Sequence, residues 1–267
     1  MAKFLKLVLD TGANMTIISI NKLVRKQRRE DTNMTRKFIV LDCEATQEVK
    51  TRECRPDAAL VYDLGWIVTD GVQVYERRSL VISDVYFTRA METAYYTEKL
   101  PQYAAGLLTG EWVMTNMIKA RELFAADCAE YGVREVWAYN CKYDRVALAH
   151  TCEVLSNGFC REFFPAGVKV RDIWGAAGST ICATVKYVEW CAANGYVSAK
   201  GNPTTNAEIV TRYLTGEDFI EAHTALADCE IELAILMAAK KRKQKMDTRE
   251  GMGWREAAKI AKDLANS

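Results

Sequence analysis

The chain has 267 residues, 49% of them apolar and 27% charged, enough to bury a sizeable core in one large domain or two small ones. Four prolines and 15 glycines exclude a collagen-like or largely disordered polymer. The 36 basic and 35 acidic residues leave a net charge of +1, so any nucleic-acid surface has to come from local clustering.

No run approaches the roughly 18 consecutive apolar residues of a membrane span, and no membrane partner is expected. The short apolar run Leu5–Leu9 lacks the pattern of a secretory signal. The 9 cysteines are odd in number and form no Cys-x-x-Cys pair. That is the usage of a reducing compartment, so a cytoplasmic location is expected. With only the 2 histidines His150 and His223, and no paired-ligand spacing, zinc is not expected.

Residues 1–33 read as an N-terminal extension with a basic stretch, Lys22–Arg29. One domain is expected over 34–245, followed by a helical tail at 246–267. Three strand signals open the domain: Phe38–Asp42, Ala58–Thr69 and Val72–Ile82. Asp70-Gly71 marks a hairpin turn, so the three form an antiparallel meander. Glu92–Leu108 is polar and aromatic without a clear period. Thr115–Gly132 has helical spacing, Glu135–Tyr139 is a short buried strand and Tyr143–Leu155 a helix. Val168–Ile173 is a last strand. Helices follow over Ile181–Asn194, Asn206–Leu214 and His223–Lys243. The expected fold is α/β: a mixed sheet of three antiparallel strands followed by βαβ elements, flanked by helices.

Three acidic segments sit at element ends. Asp42 and Glu44 close the first strand, and strand alternation points them the same way. Asp144 lies in the first turn of a helix after a strand that ends at Asn140, where an aspartate often serves only the helix dipole. His223 precedes the last long helix, and Asp228 lies inside it beside the apolar face Leu226, Cys229, Leu233 and Leu236. An unpaired carboxylate there is expensive to bury, and a metal ion would supply the reason for it.

Together these segments resemble the DEDDh, or DnaQ-like, family of 3′–5′ exonucleases, which includes polymerase proofreading subunits, ribonuclease T and oligoribonuclease. The resemblance runs from about Met34 to Lys243. It rests on strand–Asp42-x-Glu44, Asn140-x-x-x-Asp144 and His223-x-x-x-x-Asp228, in that order, and on the hairpin Val61–Ile82. The sister tyrosine branch would place tyrosine at the position of Thr224. The first motif departs from the family's Asp-x-Glu-Thr-Thr-Gly, reading Asp42-Cys43-Glu44-Ala45-Thr46-Gln47.

The resemblance implies an RNase H-like fold and two Mg²⁺ (or Mn²⁺) ions, since hard oxygen ligands suit these metals and paired ions suit phosphodiester hydrolysis. It implies that Asp42 bridges both ions, that Glu44 and Asp228 complete one, and that Asp144 holds the other through water. His223 becomes the general base for the attacking water, and nucleoside 5′-monophosphates leave from the 3′ end. Thr46, Asn140 and Tyr143 are the expected contacts to single-stranded DNA or RNA 3′ ends, with Phe87, Tyr95 and Tyr96 as further candidates to line the groove. A polymerase is a candidate partner. The alternative is a catalytically inactive nucleic-acid-binding module on the same fold.

Two weaker signals stand apart. Asp10-Thr11-Gly12-Ala13 resembles the signature of retroviral-type aspartic proteases, but such an enzyme needs two facing aspartates and a domain of its own before Phe38. The basic run Lys240–Lys245 reads as a solvated helix end or a steering patch for nucleic acid.

Overall fold

Phe38–Ala45 (β1) is apolar and alternates its side chains between two faces. Both faces are buried, because β1 lies inside the sheet with helices on either side. Ile39, Leu41, Cys43 and Ala45 enter one core, and Phe38 and Val40 enter the other. The structure, a computed structural model, describes residues 36–46, 55–94, 97–242, 245–249 and 253–266. The expected extension at 1–33, its Asp-Thr-Gly-Ala stretch and Tyr95 and Tyr96 lie outside the described residues.

β2 (Val61–Thr69) and β3 (Val74–Ile82) complete the antiparallel meander. The turn between them is longer than a two-residue hairpin. Asp70 Oδ1 accepts the N–H groups of Val72 and Gln73, both at 2.8 Å, and Gly71 takes φ 88°. After it come a short helix α1 (Ser83–Tyr86), two 3₁₀ turns, α2 (Leu100–Thr109) and β4 (Val113–Thr115). Then follow α3 (Met117–Tyr131), β5 (Glu135–Ala138), α4 (Cys141–Leu155), β6 (Lys169–Asp172), α5 (Ile173–Ala177), α6 (Val185–Ala193), α7 (Ala207–Thr215), α8 (Ala225–Lys241) and α9 (Gly253–Ala265).

The six strands lie in the order β4-β3-β2-β1-β5-β6. β5 runs parallel to β1, β6 parallel to β5, and β4 parallel to β3. This mixed sheet, with helices packed on both faces, is an RNase H-like α/β fold.

Several boundaries differ from the sequence reading. α2 and β4 occupy the stretch without a clear period and its sequel; β4 is a three-residue edge strand, too short to carry a pattern. The helix expected over Ile181–Asn194 is broken. A π-helical turn, Gly178–Cys182, continues α5, and Thr184 restarts the chain as the N-cap of α6 by accepting the Tyr187 N–H. The basic run is not a free patch at its start: Lys240 Nζ lies 3.8 Å from the Phe38 ring centroid and 5.3 Å from that of Trp137. Residues 243 and 244 lie outside the described residues. The segment expected as a tail contributes α9, whose buried Ala257 joins the core shared with α5, α6 and α8.

Buried polar contacts fasten the layers. Asp127 on α3 accepts from Trp66 Nε1 at 2.9 Å and from the Arg78 guanidinium at 3.1 and 3.2 Å, tying that helix to β2 and β3. On the other side, α8 begins directly against β2 at Gly65. A Cβ at Gly65 would lie 2.4 Å from the Leu226 nitrogen and 2.6 Å from the Ala225 carbonyl carbon. Both are backbone atoms and have little room to give way. Gly65 pairs with Asp42 across the β1–β2 ladder, so the close approach falls beside the end of β1.

Gly65→Ala is expected to lower stability by about 2–3 kcal/mol through overpacking. Urea denaturation checks this as a lower midpoint at unchanged slope. A midpoint equal to that of the unmodified protein would mean that α8 does not need this contact.

Candidate active site

The end of β1 and the N-terminal parts of α4 and α8 bring the acidic residues together. Asp42 and Glu44 leave β1 half-buried, while Asp144 and Asp228 are buried at 3% and 5% exposure. Glu44, His223 and Asp228 each present a ligand atom, all within 4.8 Å of one another. Asp144 joins from α4: Cys43 Sγ donates to its Oδ1 at 3.3 Å, and backbone N–H groups of Cys43 and Asp144 support the same carboxylate. The cysteine between the two acids of β1 therefore holds the acid of α4 in place.

The start of α8 is fixed by a buried aspartate that the sequence reading did not single out. Asp63 on β2 accepts the Ala225 N–H at 2.9 Å and the Tyr103 hydroxyl at 2.8 Å. This hydrogen bond serves one of the free N–H groups at the helix start. His223, just upstream, has φ 52°, a left-handed conformation in which histidine is among the more tolerated non-glycine residues. Its N–H supports the Asp228 carboxylate, and its Nδ1 lies 3.8 Å from Glu221. Glu208, Glu221 and His223 form a second acidic trio within the same 4.8 Å limit, so the imidazole stands between two acidic groups.

Glu232 is the second residue the sequence reading missed. It lies one helical turn beyond Asp228 on α8 and is 3% exposed. Its legible signal is the i, i+4 spacing of two acids on the buried face of an apolar helix. The Tyr139 backbone at the end of β5 favours its charged form, against the effect of burial.

The electrostatics follow from this crowding. Burial, then the charges of Glu232, Asp144, Glu44 and Asp228, hold the Asp42 carboxyl well above its usual range. Burial and Asp228 do the same to Glu44. Burial pushes Asp144 up to about 7 against its hydrogen bonds, and burial with the Glu221 charge pushes Asp228 up to about 8. Lys99 is a cation that acts against the Asp228 shift. His223 moves the other way, because burial and the nearby Lys99 charge favour its neutral form.

The donor set is carboxylate oxygen plus one imidazole, which suits Mg²⁺ or Mn²⁺. Buried oxygens Asp228 Oδ1 and Glu232 Oε2 have no hydrogen-bond partner among the described residues. In a native structure such orphans call for an explanation, and a bound cation provides one, so the residues fit a divalent ion.

The expected nucleic-acid contacts are placed as follows. Thr46 is 3% exposed, and its Oγ1 accepts the Leu60 N–H at 2.9 Å. That leaves its own hydroxyl hydrogen as the group with which to donate. Asn140 has φ 58°, and its N–H is held by Asp172 Oδ1 at 3.1 Å. Tyr143 is partly buried against the core. Phe87 is 72% exposed, with Tyr86 edge-on to its ring, and so offers an open aromatic face.

No protein-family model matches the sequence, and neither does any curated protein. Among solved structures, the chain is similar to one of Exonuclease I in its apo form, at 15% identity and a TM-score of 0.47, covering 86% of this chain and 44% of that one. It is also similar to the nuclease domain of 3'hExo, described as a DEDDh family member bound to rAMP. Here the identity is 12% and the TM-score 0.40, over 80% of this chain and 96% of that one. The chain thus spans less than half the length of that Exonuclease I chain.

These raised carboxyl values set the pH dependence of the metal-free protein. Between about pH 4 and pH 8 the folded state holds protons that the unfolded state has released, so stability falls as pH rises. Thermal melts in EDTA are expected to give a lower Tm at pH 8 than at pH 5. A Tm that rises over this interval would contradict the crowding described.

Proposed function

We propose that the protein is a metal-dependent 3′–5′ exonuclease that hydrolyses single-stranded nucleic acid to nucleoside 5′-monophosphates. The observation that carries the reading is the convergence of Asp42, Glu44, Asp144 and Asp228 around buried, orphaned carboxylate oxygen, with a neutral imidazole beside them. Repulsion of this kind needs a cation to make the ionised site stable, and phosphodiester hydrolysis is chemistry that such a cation serves.

Asp42, Glu44, Asp144 and Asp228 would hold two divalent ions. When bound, these ions supply positive charge and Lewis acidity at the scissile phosphate. Cys43 and Asp63 position the acids, one by its hydrogen bond to Asp144 and the other by fixing the start of α8. His223 acts as the general base: its neutral form accepts the proton of the attacking water. Its partial exposure, 30% for the side chain, leaves it open to solvent and to an entering strand. Thr46, Asn140 and Tyr143 are the proposed contacts to the 3′-terminal nucleotide. Phe87 offers a stacking face for a single strand.

Among the described residues no helix is long and apolar enough to cross a membrane. The cysteines among the described residues are all free thiols, in keeping with a reducing, cytoplasmic setting. Single-stranded DNA or RNA ends are the proposed substrates, and a polymerase is a proposed partner.

With 5′-labelled DNA and RNA oligonucleotides, Mg²⁺ or Mn²⁺ is expected to give a ladder shortening from the 3′ end, abolished by EDTA and by Asp42→Ala. His223→Ala is expected to slow cleavage by about 10²–10⁴-fold. Binding of both strands with no cleavage under any metal would instead identify an inactive binding module.

A further inference from the structure

One buried carboxylate whose charge acts on Asp42 belongs to none of the expected motifs. Glu232 is 3% exposed, and its charge acts on Asp42 together with those of Asp144, Glu44 and Asp228. It reaches that position from α8, in register with Asp228 one turn earlier and on the same buried face. An apolar side chain would fill this place in the helix without the cost of burying a charge.

The Tyr139 backbone, at the point where β5 ends and the chain turns into α4, favours the ionised form of the Glu232 carboxylate. Oε2 is fully enclosed and has no hydrogen-bond partner among the described residues. Asp228 Oδ1, one turn away, is enclosed and without a partner in the same way. The fold thus encloses two carboxylate oxygens one helical turn apart, both without a partner among the described residues, within reach of the Asp42 charge.

We propose that Glu232 is a fifth carboxylate of the cation site, binding a divalent ion alongside Asp42. The proposal rests on the cation site put forward above and adds a residue to it. The added charge strengthens the demand of the site for a divalent ion: without one, Glu232 and Asp42 repel each other in a buried setting, and with one, both are satisfied. The helix α8, which carries Asp228 and Glu232 on one buried face, then fixes the orientation of this ligand.

The test is a calorimetric titration of Mn²⁺ into the chelator-treated full chain, paired with thermal melts with and without Mn²⁺. It compares the unmodified protein with Glu232→Gln, Glu232→Leu and the control Glu230→Gln. Glu230 is exposed and paired with Arg77 at 3.3 Å. Glu232→Gln keeps the side-chain shape without the charge; Glu232→Leu matches the apolar helix and serves if the amide disturbs folding. The expected result for either variant is Mn²⁺ affinity lowered by about 10–100-fold, a smaller Mn²⁺-induced rise in Tm, and a metal-free Tm at or above that of the unmodified protein. Glu230→Gln is expected to bind Mn²⁺ as the unmodified protein does.

A purely structural role would lower the metal-free Tm and leave the affinity unchanged. Unchanged affinity in a folded Glu232 variant, with the unmodified protein binding Mn²⁺ normally, would overturn this proposal alone. An unmodified protein that neither binds Mn²⁺ nor is stabilised by it would overturn the cation site and this proposal with it.

Discussion

Negative charge gathered at the end of β1 is the constraint around which this molecule is organised. Asp42 meets carboxylates from its own strand, from α4 and twice from α8, and each raises the cost of ionising it. Carboxylates placed this closely repel, and burial removes the water that would screen them. The fold holds them together through contacts made elsewhere, which is the usual relation between a strained functional site and its scaffold.

Those contacts can be named. Gly65 lets the backbone of α8 press directly on β2, opposite Asp42 in the ladder. Asp63 holds the first turn of α8 through the Ala225 N–H, and Tyr103 braces Asp63 in turn. Cys43 sits between the two acids of β1 and donates across to Asp144 on α4. On the far side of the sheet, Asp127 ties α3 to Trp66 and Arg78, so the strand next to β1 is fastened from both faces. The apolar alternation of β1 feeds two separate cores, which fixes its register. A slip of one residue would turn Asp42 and Glu44 away from α8.

Much of this was legible in the sequence, for physical reasons. The β1–β3 meander, α3, β5, α4 and α8 carry strong apolar periodicity bounded by turn residues or caps. Asp42, Glu44, Asp144, His223 and Asp228 stand at element ends, where strand and helix geometry brings separate segments together. What was not legible depends on tertiary contact. β4 is three residues long and gains its identity from pairing with β3. The break before α6 comes from a capping threonine inside a continuous apolar pattern. Lys240 reads as part of a charged run, yet its ammonium group covers aromatic rings. Asp63 and Glu232 lie inside apolar elements, and only the fold shows that each is aimed at the same site rather than outward.

The convergent carboxylates are proposed to form a divalent-cation site. The most direct measurement is anomalous diffraction from a crystal of the full chain soaked in Mn²⁺. Anomalous density enclosed by Asp42, Glu44, Asp144 and Asp228 is expected. Density confined to other acidic surfaces, or none at this site while Mn²⁺ is ordered elsewhere, would contradict it.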